Sequence, residues 1–388
     1  LFKIPSDVGF DPTKPFRVQL LVQREVGPIE KVFTTFDLGY QLPQQYLRAV
    51  APPPAPEAPS AAEAAAAQDE GAAQAQLWQR IWADKRPEII GLGVMLFVLT
   101  GVFFFQSWAT RNARMFFWFR MAYLTVTLVW LGWMVNAQLS VVNLMALFGA
   151  LVSGFSWQAF LLDPLTFILW FAVAAALLFW GRGAYCGWLC PFGALQELTN
   201  RIGRYFRIPQ WELPWGLHER LWPIKYIIFL LLLGASLHSV AMAEHLAEVE
   251  PFKTAIILKF AREWPFVLFA VLLLAAGLFV ERFYCRYLCP LGAALAIPGR
   301  LRTFEWLKRW RECGNPCHRC AHECPVQSIH PEGNINPNEC IYCMHCQELY
   351  HDDHRCPHMI QVRLKREKFE RLSSPATRGP GPAPPVIT

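Results

Sequence analysis

The residues best suited to chemistry in this sequence are its twelve cysteines, all of which lie between Cys186 and Cys356. A disulfide framework would not leave the first 185 residues without a cysteine. The uneven distribution instead indicates thiolates that bind a metal on the reducing side of a membrane.

Eight of these cysteines form two similar runs near the C-terminal end. The first run is Cys313-x3-Cys317-x2-Cys320-x3-Cys324-Pro325, and the second is Cys340-x2-Cys343-x2-Cys346 with a later Cys356-Pro357. Two-cluster ferredoxins use three close cysteines for one 4Fe–4S cluster and a fourth, before a proline, for the other. This pattern predicts one cluster on Cys313, Cys317, Cys320 and Cys356, and a second on Cys340, Cys343, Cys346 and Cys324.

Two spacings depart from the ferredoxin pattern. Three residues separate Cys313 from Cys317, and nine separate Cys346 from Cys356, so Cys313 and Cys356 fit least well. The alternative is a pair of zinc sites, which commonly use paired Cys-x2-Cys spacings. Triplets combined with Cys-Pro favour iron–sulfur clusters.

A different cysteine motif occurs twice. Residues 183–194 read GAYCGWLCPFGA, and residues 282–293 read RFYCRYLCPLGA. The four thiols could hold a further iron or iron–sulfur centre, form a dithiol redox pair, or pack the ends of helices. Because the paired thiols recur in a repeated context, we favour a metal or redox role for Cys186, Cys190, Cys285 and Cys289.

The elements that must position these thiols are mostly apolar. The 388 residues are 54% hydrophobic and 17% charged, whereas a soluble domain has about 25% charged residues. Five stretches are apolar and long enough to predict membrane spans, at 89–108, 115–135, 165–180, 222–240 and 264–280. Lys225 lies near the end of the fourth span, where its side chain is expected to reach the membrane interface.

Basic residues predict how the chain crosses the membrane. They follow the first, third and fifth spans, which should therefore end on the cytoplasmic side. Residues 139–162 are then a re-entrant or interfacial segment on the outer face. The C-terminal cysteines would be cytoplasmic, and the region before the first span periplasmic. The net charge of +6 is loop charge of this kind and does not indicate nucleic-acid binding.

Several titratable residues lie between the fourth and fifth spans, on the predicted outer side. A solvated loop is the simpler interpretation of such residues. The functional interpretation is a proton-accepting group for quinol oxidation. The residues concerned are His238, Glu244, His245, Glu248 and Glu250.

The predicted fold is a polytopic α-helical membrane protein with a C-terminal ferredoxin-like α+β domain for two 4Fe–4S clusters. Alternating residues predict short strands at Phe16–Leu20 and Lys31–Thr34, the end of a larger periplasmic α/β domain. The chain is predicted to begin with the end of this periplasmic domain (1–48) and an Ala/Pro-rich linker (49–87). A transmembrane domain with the first Cys-x3-Cys-Pro motif (88–283) follows, then the second such motif with the cytoplasmic 4Fe–4S domain (284–371), and a disordered tail (372–388).

With these features the chain resembles the NosR/NirI family. The outer strands, the linker, the five spans, the duplicated motif and the C-terminal cysteines carry the resemblance. Two further stretches also match, Glu250-Pro251-Phe252-Lys253 and Asn136-Ala137-Gln138-Leu139-Ser140. The ferredoxin motifs alone are shared with NapH-type and FixG-type proteins, but the outer region separates the chain from the NapH type.

The resemblance implies a protein of the inner membrane of denitrifying bacteria. Members of the family are expected to pass electrons from the quinol pool to periplasmic nitrous oxide reductase. They carry a covalent FMN on a threonine, which is expected upstream because residues 1–48 contain no matching motif. Two alternatives remain. One is a factor for assembly or regulation of nitrous oxide reductase, acting with its maturation machinery, and the other is a NapH-like quinol dehydrogenase for another reductase.

Overall fold

The computed structural model of the protein describes residues 16–25, 31–40, 77–153, 157–238 and 246–373. The chain divides into two compact units, residues 1–71 and 72–388. In the first unit, β1 (Phe16–Glu25) and β2 (Lys31–Tyr40) pair antiparallel, with Phe16 opposite Tyr40. The two predicted strands are therefore confirmed, and each is longer than predicted. Most of the predicted linker and all but two residues of the predicted tail lie outside the described residues.

The second unit is helical in the residues described. Its α-helices are α1 (Arg86–Phe104), α2 (Gln106–Ala109), α3 (Ala113–Val126), α4 (Val141–Ser153), α5 (Trp157–Leu161), α6 (Pro164–Phe179), α7 (Pro191–Tyr205), α8 (Trp215–Leu221), α9 (Pro223–His238), α10 (Trp264–Phe279), α11 (Phe283–Tyr287), α12 (Pro290–Gly299), α13 (Arg319–His322), α14 (His345–His351) and α15 (Pro357–Ser373). π-Helical turns occupy Thr127–Met134, Tyr185–Leu189 and Lys253–Ile257, and a 3-10 turn occupies Ala247–Val249.

Proline and capping residues explain where many of these helices begin. Proline lacks the N–H that would remain unpaired in a first helical turn, and its φ angle already suits a helix. It is the first residue of α6, α7, α9, α12 and α15. The Asp163 carboxylate accepts the Thr166 N–H (3.4 Å) at the start of α6, and Asn112 caps α3 through the Met115 N–H (3.3 Å).

Three helical stretches among the described residues are long and apolar enough to cross a membrane: Arg86–Phe104, Ala113–Met134 and Trp215–Leu237. They cover the predicted first, second and fourth spans. Helices α6 and α10 cover the third and fifth, but each has only 16 residues. A helix of that length measures about 24 Å, against about 30 Å for the apolar layer of a bilayer. Five crossings therefore stay a prediction.

Large apolar side chains cover the outer faces of the long helices. Phe97 is 79% exposed, Trp118 70% and Leu231 67%. Water would oppose so much exposed apolar surface, whereas lipid chains accept it. Facing inward, Leu92 and Leu131 are fully buried in the core that holds the bundle together.

The structure bears on two sequence-based expectations in this unit, of which the re-entrant or interfacial position of residues 139–162 stays a prediction. Residues 139–162 form α4 and α5, with residues 154–156 not described, and α4 packs against α9 and α12.

Lys225 does not reach the membrane interface, so the prediction that its side chain extends there is wrong. Its ammonium is fully buried and donates to the Glu339 carboxylate at 2.5 Å and to the Arg286 carbonyl at 3.3 Å. The ammonium is therefore stabilised by a carboxylate of the C-terminal segment and not by water at the membrane interface.

The C-terminal segment shows little of the predicted α+β character. Within residues 313–373, all described, the only β contacts are isolated bridges, Cys313 with Cys317 and Ile329 with Ile335. Helices α13, α14 and α15 supply the regular structure. Cys356-Pro357 starts the 17-residue helix α15, because proline fits the first helical position.

Candidate iron–sulfur sites

Five cysteines of the C-terminal segment line one cavity: Cys320, Cys324, Cys340, Cys343 and Cys346. The last four are the residues predicted to bind the second cluster, and the structure brings them together, whereas Cys320 is predicted for the first cluster. Burial raises the pKa of Cys340 to about 11 and that of Cys346 to about 12. Such thiols become thiolates at neutral pH when a metal binds the sulfur and displaces the proton. The donor set therefore fits a thiolate-bound cluster.

The loop around this cavity is shaped to present its sulfur atoms. Tyr342 (φ 54°) and Met344 (φ 63°) adopt left-handed backbone conformations, which turn the chain sharply between Cys340 and Cys346. The Tyr342 N–H points at the Cys340 sulfur (3.4 Å), and the Ser328 N–H points at the Cys324 sulfur (3.3 Å). N–H groups aimed at sulfur stabilise negative charge on a thiolate.

The residues predicted for the first cluster also come together. Burial raises the pKa of Cys320 to about 11, and negative charge on Cys313, Cys317 or Cys356 raises it further. Cys320 therefore lies within electrostatic reach of the other three cysteines. The Asp352 carboxylate accepts the N–H groups of His354 (2.8 Å) and Arg355 (3.1 Å), forming the turn that leads to Cys356.

Sulfur spacing separates the zinc and iron–sulfur alternatives. A tetrahedral zinc ion with bonds of about 2.3 Å to sulfur holds its thiolates about 3.8 Å apart. Among the described residues, the only group of three or more ligand side chains with all donor atoms within 4.8 Å is Asp352, Asp353 and His354. The cysteines, all of which are described, form no such group. A single zinc ion would need such a group, whereas a 4Fe–4S cluster does not, because its thiolates bind different iron atoms.

The duplicated motif gives each half of the bundle the same local structure. Cys190 and Cys289 are the N-caps of α7 and α12, with Pro191 and Pro290 as the first helical residues. Their sulfur atoms accept the N–H groups of Gly193 (3.4 Å) and Gly292 (3.2 Å). The thiols therefore sit at the positive ends of two helices, which favours thiolate and anionic centres.

The two halves bring their four thiols into one cluster of side chains. Cys190 and Cys289 are buried in the same hydrophobic core, and Cys186 and Cys285 pack against that core. We call Cys186, Cys190, Cys285 and Cys289 the four-thiol set.

Two buried ion networks surround the four-thiol set. Glu197 accepts from Arg120 (2.9 Å) and Arg282 (2.6 Å), and Glu339 accepts from Arg182 (3.2 Å) and Lys225 (2.5 Å). Each carboxylate is shared by two cations, so each network carries one surplus positive charge. Buried positive charge is costly unless an anion compensates it. A cluster bound by four thiolates is such an anion.

The sequence did not identify these networks, because their basic members were interpreted as loop charge. The available signal was the position of Arg120 and Glu197 beside long apolar stretches, where a charged residue usually has a buried partner. The partners are far apart in sequence, 77 residues for Arg120 and Glu197. No local spacing reveals such a pair.

The loop that lines the C-terminal cavity contacts the part of the chain that carries Cys186 and Cys190. A Cβ atom on Gly187 would lie 1.8 Å from the Ile341 carbonyl oxygen, and one on Gly183 would lie 2.8 Å from the Cys340 carbonyl oxygen. The Trp188 indole also donates to the Tyr342 carbonyl (3.0 Å). The loop of the second predicted cluster therefore packs against the first Cys-x3-Cys-Pro motif.

A second segment touches the four-thiol set from another side. The Leu139 N–H donates to the Tyr185 hydroxyl (3.2 Å), and the Gln138 amide lies 3.8 Å from the Cys190 sulfur. In the other half, the Tyr284 hydroxyl donates to the Val249 carbonyl (3.4 Å). Segments 138–140 and 249–250 thus occupy matching places beside the two motifs.

The residues predicted for a proton site are only partly together. The Glu250 carboxylate is buried and accepts from the Ser140 hydroxyl (2.5 Å) and the Val141 N–H (3.1 Å). Glu248 instead forms an ion pair with Arg262 (2.6 Å). His238 ends α9, and its side chain lies outside the described residues, as do Glu244 and His245.

The fold and the cysteine sites define a helical membrane protein with iron–sulfur binding modules, and the family models agree. A model described as a 4Fe-4S binding domain matches residues 162–209 and 263–312, one copy around each Cys-x3-Cys-Pro motif. The NosR family model matches residues 311–367, which include all eight C-terminal cysteines.

Curated relatives identify the family. Regulatory protein NosR of Pseudomonas aeruginosa is 51% identical over 383 residues, which cover 99% of this chain and 52% of the relative. Protein NirI of Paracoccus denitrificans is 46% identical over 360 residues, 92% of this chain and 50% of the relative. YccM of Escherichia coli, named a putative electron transport protein, is 32% identical over 173 residues, 43% of this chain and 48% of the relative.

The chain belongs to the NosR/NirI family. It spans about half the length of the curated NosR and NirI proteins that it matches. No solved structure matches the chain.

Proposed function

We propose that the chain transfers electrons within a membrane, from the quinol pool toward periplasmic nitrous oxide reductase. The contact between the loop Cys340–Cys346 and the motif Cys186–Cys190 is the observation that carries this proposal. It joins two thiol sets through the Gly187–Ile341 contact, so electrons would have only a short distance to travel between centres held there.

Each thiol set has a proposed place in this function. One 4Fe–4S cluster would be held by Cys313, Cys317, Cys320 and Cys356, and another by Cys324, Cys340, Cys343 and Cys346. The four-thiol set would hold one further iron–sulfur centre. Such clusters accept and donate single electrons, whereas oxidation of a hydroquinone releases two electrons and two protons.

The short helices explain how electrons would cross the bilayer. In the predicted topology, segment 138–140 lies on the outer side and the four-thiol set is reached from the cytoplasmic side. The contact of Leu139 with Tyr185 nevertheless joins the two. Because α6 and α10 have only 16 residues, the motifs that follow them would enter the apolar layer and meet the outer segment inside it. The four-thiol set would then connect the two faces of an inner membrane.

Glu250 is the proposed proton acceptor on the outer side. Its carboxylate is buried beside Ser140 and Val141, directly next to the segment that contacts Cys190. A carboxylate in such a place can take a proton as the electron leaves. An FMN carried by another part of the protein would be the next carrier toward the reductase.

The test uses the protein purified without oxygen and reconstituted in lipid nanodiscs. A hydroquinone analogue should bleach the visible absorbance of the clusters, and Cys186→Ser combined with Cys285→Ser should abolish that bleaching while dithionite still reduces the C-terminal clusters. Failure of the hydroquinone to reduce the unaltered protein would exclude the quinol role. Unchanged reduction in the double variant would exclude the four-thiol set from the route.

A regulatory or assembly role is the second candidate, because the curated relatives are named regulatory proteins. A strain lacking the protein distinguishes the two roles. Electron supply predicts a nitrous oxide reductase with its full copper content but without activity. Assembly predicts a reductase lacking copper, and regulation predicts a reduced amount of enzyme.

A further inference from the structure

A cavity of about 500 Å³ lies between α4, α5 and α6, and none of the twelve cysteines lines it. Its walls are mainly apolar and include the aromatic residues Trp157, Phe167 and Trp170. Three polar residues, Asn143, Asp163 and Thr166, also line it. Its size and its mixture of apolar walls with a few polar groups are typical of small-molecule sites, which measure about 300–1,000 Å³.

The aromatic wall is held by contacts among its own rings and with Trp82, which lies outside the cavity. The Phe167 ring meets Trp157 edge-on at 6.4 Å and Trp82 edge-on at 6.2 Å. The Trp82 indole donates to the Leu161 carbonyl (2.9 Å), which ties the end of α5 to the helical residues 77–84, just before α1. The wall is therefore already in place before a ligand binds, and a flat ring can stack there at little conformational cost.

The polar groups indicate what kind of ligand fits. Within the described residues, the side-chain amide of Asn143 and the hydroxyl of Thr166 form no hydrogen bond with another group. Polar groups in apolar surroundings are costly unless they are paired. The Asp163 carboxylate already caps α6 through the Thr166 N–H. A ligand with oxygen atoms on a flat ring would pair with Asn143 and Thr166, whereas a lipid acyl chain would leave both unpaired.

We propose that this cavity binds the ring of a lipid-soluble quinone or hydroquinone. The aromatic residues stack on the ring, and the Asn143 amide and the Thr166 hydroxyl bind its oxygen atoms. The proposal rests on the proposed function and gives it a binding site. It also moves that site from the loop residues His238–Glu250 to helices α4 and α6.

The chain connects the cavity to the four-thiol set over a short distance. Gln138, which contacts the Cys190 sulfur, is five residues before Asn143. Val141 begins α4 and donates its N–H to Glu250. Helices α4 and α6 both pack against α12, which starts directly after Cys289. A ring bound in the cavity would therefore contact helices that lead to both the proposed proton acceptor and the thiols.

Binding can be measured without turnover, on the protein in nanodiscs, by titrating decylubiquinone against tryptophan fluorescence. Ala174 lines the cavity, so Ala174→Phe should fill it and weaken binding by at least about tenfold. Ala175 is the next residue on the same helix and does not line the cavity, so Ala175→Phe should leave the affinity unchanged. Asn143→Leu keeps the volume but removes the amide, and should weaken binding about five- to tenfold.

Photolabelling with an azidoquinone provides an independent readout, with labelled peptides expected from 141–151 and 157–175. Unchanged affinity in both Ala174→Phe and Asn143→Leu, or labelling confined to other peptides, would overturn the site and leave the quinol role of the protein intact. If the unaltered protein binds no decylubiquinone and the cavity retains only phospholipid, the proposed donor fails together with the site.

Discussion

At the scale of single residues, Gly187 makes the closest approach between the first Cys-x3-Cys-Pro motif and the loop Cys340–Cys346. Alanine there would put a Cβ atom 1.8 Å from the Ile341 carbonyl oxygen, so the loop that carries Cys340 and Cys343 would have to move. We expect Gly187→Ala to lower the iron and sulfide content of the purified protein. Gly234, in α9, has no heavy atom within 4 Å of its Cβ position, and Gly234→Ala should match the unaltered protein. Equal iron content in both variants would show that the contact is not needed.

Glu197 is the residue on which the first buried ion network depends. Glu197→Gln would leave Arg120 and Arg282 without a counter-charge, although their side chains are 6% and 0% exposed. Loss of one member of a buried ion pair costs about 3–5 kcal/mol. The variant should therefore unfold at a clearly lower temperature when light scattering or intrinsic fluorescence is followed in detergent.

The matched control for Glu197→Gln is Glu305→Gln, because the Glu305 side chain is 86% exposed beside Arg302. An exposed ion pair contributes about 0–1 kcal/mol, so this variant should unfold close to the unaltered protein. Similar unfolding temperatures for the two variants would contradict the importance given to the buried network.

Residue types and local spacing were sufficient to predict which thiols gather. The triplets predicted both C-terminal groups, because a tight loop must bring closely spaced cysteines together. The sequence did not predict the partner of Lys225, because Glu339 is 114 residues away. Nor did it predict the cavity at Asn143 and Thr166, because those residues become neighbours only when α4 and α6 pack.

At the scale of elements, the duplicated Cys-Pro sequence starts helices α7 and α12 and places the thiols of Cys190 and Cys289 in the four-thiol set. We expect Cys186→Ser combined with Cys285→Ser to remove the iron that exceeds the content of two C-terminal clusters. The N-cap residues Cys190 and Cys289 remain in that variant, so helices α7 and α12 should still form. Iron and sulfide analysis with circular dichroism measures both effects.

The comparison for that double variant is Cys343→Ser, which should instead remove iron from the C-terminal segment. If the double variant keeps its full iron content, the four-thiol set has only a packing role. Hydrophobicity predicted where α6 and α10 begin and end to within one residue. It did not predict what holds their ends: the Thr303 N–H donates to the Leu178 carbonyl of α6 (2.8 Å), and the Trp211 N–H donates to the Phe279 carbonyl of α10 (2.8 Å).

At the scale of the whole molecule, the family assignment and the cysteine geometry agree on an iron–sulfur protein in a membrane. The matched 4Fe-4S binding regions lie in the helical bundle, and the NosR region lies in the C-terminal segment. The direct contact between these two parts gives the proposed electron route its continuity. Composition alone could predict a membrane protein, but not that its two cysteine-bearing parts would pack together.

Whether the cysteines bind iron–sulfur clusters is tested most directly by measuring iron, acid-labile sulfide and zinc in protein purified without oxygen. EPR of the reduced sample completes this test. We expect more than about eight iron atoms per chain with matching sulfide, and signals of interacting 4Fe–4S clusters. Zinc without sulfide, and no cluster signal after reduction, would contradict this expectation.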